Sequence, residues 1–415
     1  MPAPATSSRS TLIVALCCLA GVGEGFDLQA PGVTLPVLGP LFHLATGEGQ
    51  GFFAGFLSQK SLFLSMSTFG LMFGSVIGGR ASDLVGRKWT AIVSICVFAA
   101  LSALTAHAVS ADTLLAARFV TGLGLGAALP NLIALVTEGA PAGRRNTAVG
   151  FLYASMPLGG ALVSLSSYGL ATPEHWRTIY YLGGLLPLLA ALGLLLGVPD
   201  MRPQAAGGPK PSIAFALFGQ GRASPTLVLW LCFLSAMIIQ YVLLGWLPSL
   251  LIAKGLPKPQ ASIVQLGFNV FGAAGGIVTG LLIDRPSAIK ATAAVFAGCI
   301  VSLALLAAAP ASLGVSFVVG SLVGFAIAGV LTIVYALGPR IYPGPVRGSG
   351  VGFAVAAGRV GSSVGPLLAG AMLGAGGSAT RVLAVMVPLM IVSGAAALWA
   401  SHAAARTDAF ATQQI

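Results

Sequence analysis

The chain has 415 residues, 56% hydrophobic and only 7% charged, with a mean hydropathy of +0.94 and a net charge of +11. Soluble domains carry about 25% charged residues, so 21 basic and 10 acidic side chains cannot clothe a soluble protein of this size. That excludes soluble, disordered and collagen-like chains and leaves a polytopic membrane protein.

Runs of about 20 apolar residues, enough to cross a hydrocarbon core, are predicted at 11–38, 59–79, 89–108, 112–138, 147–171, 177–198, 225–250, 261–283, 291–309, 312–336, 349–373 and 381–402. They are apolar all round, unlike the short alternating strands of an outer-membrane barrel. The first carries Glu24 and Asp27. A cleaved signal peptide over 11–23 is disfavoured, because Arg9 is the only charge before it and the apolar pattern continues to Leu38. A long outer loop at about 39–58, containing Glu48, follows. After the second run comes the charged turn GGRASDLVGRK, and after the fourth come Glu138, Arg144 and Arg145. The stretch 199–224 is rich in proline, glycine and charge and reads as a linker between 1–198 and 225–415.

Orientation follows from the basic residues. Fourteen of the 21 fall on the side that holds both termini, five fall on the other, and Arg118 and Arg359 lie within spans. That bias places the termini in the cytoplasm. The two halves also repeat each other. Gly79 and Asp83 recur as Gly280 and Asp284, Arg145 recurs as Arg347, and the segment starting at Gly150 recurs at Gly352. A constant offset near half the chain means a duplicated six-helix unit. The expected fold is therefore all-α: twelve transmembrane helices in two pseudo-symmetric six-helix bundles, with a substrate site between them near the midplane.

Gly79, Asp83, Gly86, Arg87 and Lys88 match the G-x-x-x-D-x-x-G-R-K motif, and ARFVTGLGLGAALPN resembles the fourth-span pattern, of the major facilitator superfamily. EGFDLQAPG, from Glu24 to Gly32, resembles the D-G-x-D-x-x-x-x-G signature of its aromatic acid:proton symporters, with Glu24 replacing an aspartate. The resemblance implies an inner-membrane carrier that takes up an aromatic carboxylic acid, such as a hydroxyphenylpropionate or a hydroxybenzoate, with protons as coupling ion.

A charge at membrane depth costs at least about 2.5–3.5 kcal/mol, so intramembrane ions are candidate functional groups. Glu24 and Asp27 share a helix face and are candidate proton carriers, with Arg118 as partner of Asp27. Arg359 has no evident acid near it, and a substrate carboxylate could satisfy its guanidinium. Gln29, Asn131, Tyr153, Gln240, Tyr241, Asn269 and Tyr335 are candidate walls for an aromatic ring. Trp246 is a further candidate wall, although the ordinary expectation for it and for Trp230 is an interfacial anchor. Gly79, Asp83, Gly86, Arg87 and Lys88, with Glu138, Arg145, Asp284 and Arg347, are candidate gating residues.

No cofactor or metal is expected. Cys17, Cys18, Cys96, Cys232 and Cys299 lie in apolar runs without ligand spacing, and His43, His107, His175 and His402 are dispersed. Gly122, Gly124 and Gly126 mimic a dinucleotide loop but follow no strand. The scattered basic residues form no nucleic-acid face. No nucleophile–base pair points to an enzyme and no further domain to signalling. The expected partners are a small aromatic carboxylate and the lipid bilayer, with the chain acting as a monomer. The competing reading is a proton-linked exporter of drugs or metabolites on the same fold.

Overall fold

Every predicted apolar run is a helix in the computed structural model, which describes residues 7–45, 56–141, 144–198, 212–219, 221–283, 288–342 and 344–412. The first half comprises α1 (Ser7–Leu41), α2 (Gln59–Val85), α3 (Arg87–Thr105), α4 (Ala111–Gly139), α5 (Arg145–Leu170) and α6 (Trp176–Gly197). The short α7 (Ile213–Phe218) lies within the expected linker, much of which is outside the described residues. The second half comprises α8 (Ala223–Ala253), α9 (Lys258–Ile283), α10 (Ala288–Ala308), α11 (Leu313–Ile341), α12 (Gly344–Gly374) and α13 (Ala379–Thr412). All but α7 are long and apolar enough to cross a membrane, twelve in number. Several extend beyond the apolar runs. α2 continues six residues past Gly79, because Arg80, Asp83 and their neighbours keep helical geometry up to Gly86.

Helix ends follow local chemistry. Ser110 Oγ accepts from the Thr113 amide at 3.2 Å and Thr113 Oγ1 accepts from the Ser110 amide at 3.0 Å, a reciprocal cap that starts α4. Gly86 alone joins α2 to α3, with φ 93° and ψ 158°, a conformation that is glycine territory. The charged turn therefore needs Gly86 for backbone reasons.

The halves pack by one plan. In the first, α1 packs on α5 and α6, α2 on α4, and α3 on α4 and α6; in the second, α8 packs on α12 and α13, α9 on α11, and α10 on α11 and α13. Small residues permit the closest of these contacts. A methyl group at Gly70, Gly74 or Gly78 of α2 would run into the α4 backbone, and one at Gly122 or Gly126 into α2. In the second half Gly275 meets the Phe325 backbone and Gly324 that of Phe268. Gly79 faces open space, so the close approach at this end of α2 belongs to Gly78.

The halves meet through α1–α8, α2–α12 and α5–α9. Their contacts concentrate at the face opposite the termini, the far face. Buried residues of the first half near that face, Val33, Leu38 and Phe63 among them, form one continuous apolar core with the second half. Those near the terminal face, including Ile13, Cys17, Leu71 and Leu135, form a separate core with no second-half member. The molecule is thus closed at the far face and parted at the terminal face.

Candidate functional site

Glycines bring α1 into the centre. Gly25 lies against the Met156 backbone of α5, Gly21 against Leu152 and Ser155, and Gly32 against Leu244 and Gly245 of α8. Close approach on two sides buries Glu24 and Asp27 completely. They are neighbours on α1, yet their surroundings differ.

Asp27 is fully satisfied. Arg118 of α4 donates to Asp27 Oδ2 at 2.8 Å, to Oδ1 at 3.1 Å and to its backbone carbonyl at 3.0 Å. Ser102 of α3 donates to Oδ1 at 2.5 Å, and Arg118 Nε donates to Ser67 of α2 at 3.0 Å. The Tyr180 ring of α6 lies 5.8 Å from the guanidinium, with its hydroxyl 2.9 Å from Thr34. The expected Asp27–Arg118 pair therefore forms, sealed from solvent within the first half. Ser67, Ser102, Thr34 and Tyr180 complete it. A mid-span serine, tyrosine or threonine looks the same in sequence whether it packs or supports an ion pair, so nothing singled these four out.

Glu24 has no such company. Neither carboxylate oxygen has a hydrogen-bond partner among the described residues, although both are buried. Asp27 and Arg359 are the charges within electrostatic reach. Arg359, on α12, is only part-buried. It forms no ion pair with Glu24, and its one side-chain hydrogen bond among the described residues is a 3.4 Å contact to the Tyr241 hydroxyl. Tyr153 of α5, Tyr241 of α8 and Tyr335 of α11 surround it electrostatically. Tyr335 lies tilted against Tyr153 at 5.9 Å and edge-on against Phe233 at 5.0 Å. Tyr153 remains 39% exposed. Five helices from both halves thus place one cation with free donors beside an orphan carboxylate and a wall of aromatic rings.

Other candidates lie elsewhere. Gln29 and Asn269 exchange amide hydrogen bonds of 3.0 and 2.8 Å across the two halves, joined by Gln265 Nε2 at 3.1 Å from Gln29 Oε1. A side chain at Gly160 would displace this cluster. Asn131 donates to the Ala127 carbonyl of its own helix at 2.8 Å. Gln240 keeps a buried Oε1 with no hydrogen-bond partner among the described residues. Trp246 donates to Pro366 at 2.9 Å inside the second half rather than anchoring at an interface, and Trp230 packs edge-on against Phe218 of α7.

At the terminal face Arg87 forms an ion pair with Glu138. Arg144 and Arg145, the basic residues nearest Glu138 in sequence, are exposed. Lys88 turns inward to the Leu195 and Val198 carbonyls at the end of α6. The side chains of Asp83 and Arg347, and all of Asp284, lie outside the described residues.

The model for the Major Facilitator Superfamily matches residues 17–334. The chain belongs to the major facilitator superfamily. Membership makes it a transporter rather than an enzyme. It is 35% identical to the 3-(3-hydroxy-phenyl)propionate transporter of Escherichia coli (strain K12) over 94% of each chain. It is 30% identical to a gallate transporter of Pseudomonas putida, covering 88% of this chain and 86% of that one. Among solved structures, a bacterial homologue of the human lysosomal transporter Spinster, described as inward-facing and occupied, superposes with a TM-score of 0.76 over 96% of this transporter and 98% of that chain, at 15% identity. The twelve-helix facilitator fold is thereby shown.

Proposed function

We propose that this transporter takes up a small aromatic carboxylic acid with protons across the bacterial inner membrane by alternating access, as a monomer with cytoplasmic termini. One observation carries the reading. Among the described residues Arg359 keeps uncommitted donors, within electrostatic reach of Tyr153, Tyr241 and Tyr335 where the halves meet. A guanidinium grips a carboxylate through charge-assisted, often bidentate, hydrogen bonds, and the tyrosines offer faces and hydroxyls to a ring. The relatives, named for hydroxyphenylpropionate and gallate, support the same substrate class. The buried carboxylates of Glu24 and Asp27 support proton coupling, since titratable groups at membrane depth recur in proton relays. The excess of basic residues on the terminal side supports cytoplasmic termini. On that orientation the parted face opens inward.

Uptake of labelled 3-(3-hydroxyphenyl)propionate into energised membrane vesicles, with and without a protonophore, tests the reading. Accumulation that collapses with the protonophore is expected. Accumulation that ignores it would remove proton coupling. Energy-dependent loss of the compound from preloaded vesicles would favour the exporter.

A further inference from the structure

We propose that Glu24, rather than Asp27, is the group whose proton is tied to the substrate, and that the tie is competition for Arg359. The proposal rests on the aromatic-anion reading and adds its coupling step.

The two acids divide by their partners. Asp27 accepts from Arg118 and Ser102 in a sealed site, with Tyr180 of α6 beyond. Losing that charge would strand Arg118, and both members of the pair are fully buried. Among the described residues Glu24 accepts no hydrogen bond, and the titratable groups within its electrostatic reach are Asp27 on its own helix, Tyr153 on α5, Tyr241 on α8 and Arg359 on α12. Arg359 and Tyr153 are partly open to solvent, so this side of Glu24 borders the route of both substrate and proton. A bare carboxylate without hydrogen bonds is not stable in such a place. It needs either a proton or a cation, and among the described residues the cation within reach that is not already paired is Arg359.

Arg359 can satisfy one carboxylate fully. With the substrate anion on Arg359, Glu24 holds a proton on its carboxyl oxygen. When the anion leaves, Arg359 is free to pair with Glu24, which gives the proton to the cavity water. One anion and one proton then cross together. No net charge moves, so the pH gradient drives the cycle and the membrane potential does not. In the structure Glu24 and Arg359 lie within electrostatic reach of each other without forming an ion pair.

The test is the affinity of purified full-length protein for 3-(3-hydroxyphenyl)propionate across about pH 6 to 9.5, where its own carboxylate stays ionised and its phenol protonated. In wild type the affinity is expected to be flat at low pH and then to weaken tenfold per pH unit, the signature of one proton taken up with the anion. Glu24→Gln, which mimics the protonated acid, is expected to bind as tightly as wild type does at low pH, with no slope. It should still exchange substrate across vesicles but lose accumulation. A slope that persists in Glu24→Gln overturns the proposal, as does a folded Glu24→Gln that binds no anion. The double variant Asp27→Asn with Arg118→Gln removes both members of the sealed pair and is expected to keep the slope. Loss of the slope there, with its retention in Glu24→Gln, would assign the proton to Asp27. Wild-type protein that binds no aromatic anion at any pH would overturn the substrate reading itself. In wild-type vesicles, uptake driven by a potassium-diffusion potential without a pH gradient would overturn the electroneutral step alone.

Discussion

Asp27 and Glu24 differ by three positions and by everything around them. Removing one partner of a sealed ion pair leaves the other charge uncompensated, which costs about 3–5 kcal/mol. Asp27→Asn is therefore expected to destabilise the protein by that amount, read as a fall in thermal midpoint in detergent, whereas Glu24→Gln, which breaks no hydrogen bond, should leave the midpoint near wild type. Equal losses would mean that Glu24 has a structural role. Arg359 calls for a different assay. Hydrogen bonds to a charged group contribute about 1.5–3 kcal/mol, so Arg359→Gln is expected to raise the half-saturation concentration for uptake roughly 10- to 100-fold. Arg359→Lys should fall between, because lysine keeps the charge and loses the planar fork. An unchanged half-saturation constant in Arg359→Gln would remove this residue from the substrate.

Among the helices, glycine sets the geometry. The turn between α2 and α3 is one residue, Gly86, held at φ 93°. Gly86→Ala places a side chain in a backbone region that costs about 1–3 kcal/mol. The expected result is a less stable protein in which the Arg87–Glu138 pair is also displaced. Gly74→Leu, which collides with the α4 backbone around Leu123, is expected to abolish folded protein in membranes, whereas Gly79→Leu should be tolerated in the conformation described. Gel-filtration profiles of the detergent-extracted protein would check all three.

For the whole molecule, the question is which face is shut. The Gln29–Asn269–Gln265 amides, Ser167 with Ser262 at 2.9 Å, and Lys258 with the Ala171 carbonyl all tie α1 or α5 to α9 in the far half. These bonds must break for the far face to open. The pair Ser167→Cys and Ser262→Cys is expected to cross-link readily and to stop transport, with reductant restoring it. Free transport in a fully cross-linked protein would mean that α5 and α9 do not part during the cycle. Gln29 and Asn269 suit this latch better than the substrate contact expected of them, since their amides are already committed to each other.

The sequence by itself determined the twelve spans, their duplication, the charged turn and the Asp27–Arg118 pair. Each depends on local composition or on a charge at membrane depth, which must be either paired or neutralised. Tertiary structure alone decided which faces meet. The spans are apolar all round, so hydropathy says nothing of their rotation, and residues 240 apart, as Gln29 and Asn269 are, carry no shared local signal. The nearness of Glu24 to Arg359 arises only where the first and second halves pack. Likewise Glu138 finds Arg87 across the bundle rather than Arg145 along the chain, because proximity in a packed bundle is set by helix contacts and not by sequence distance.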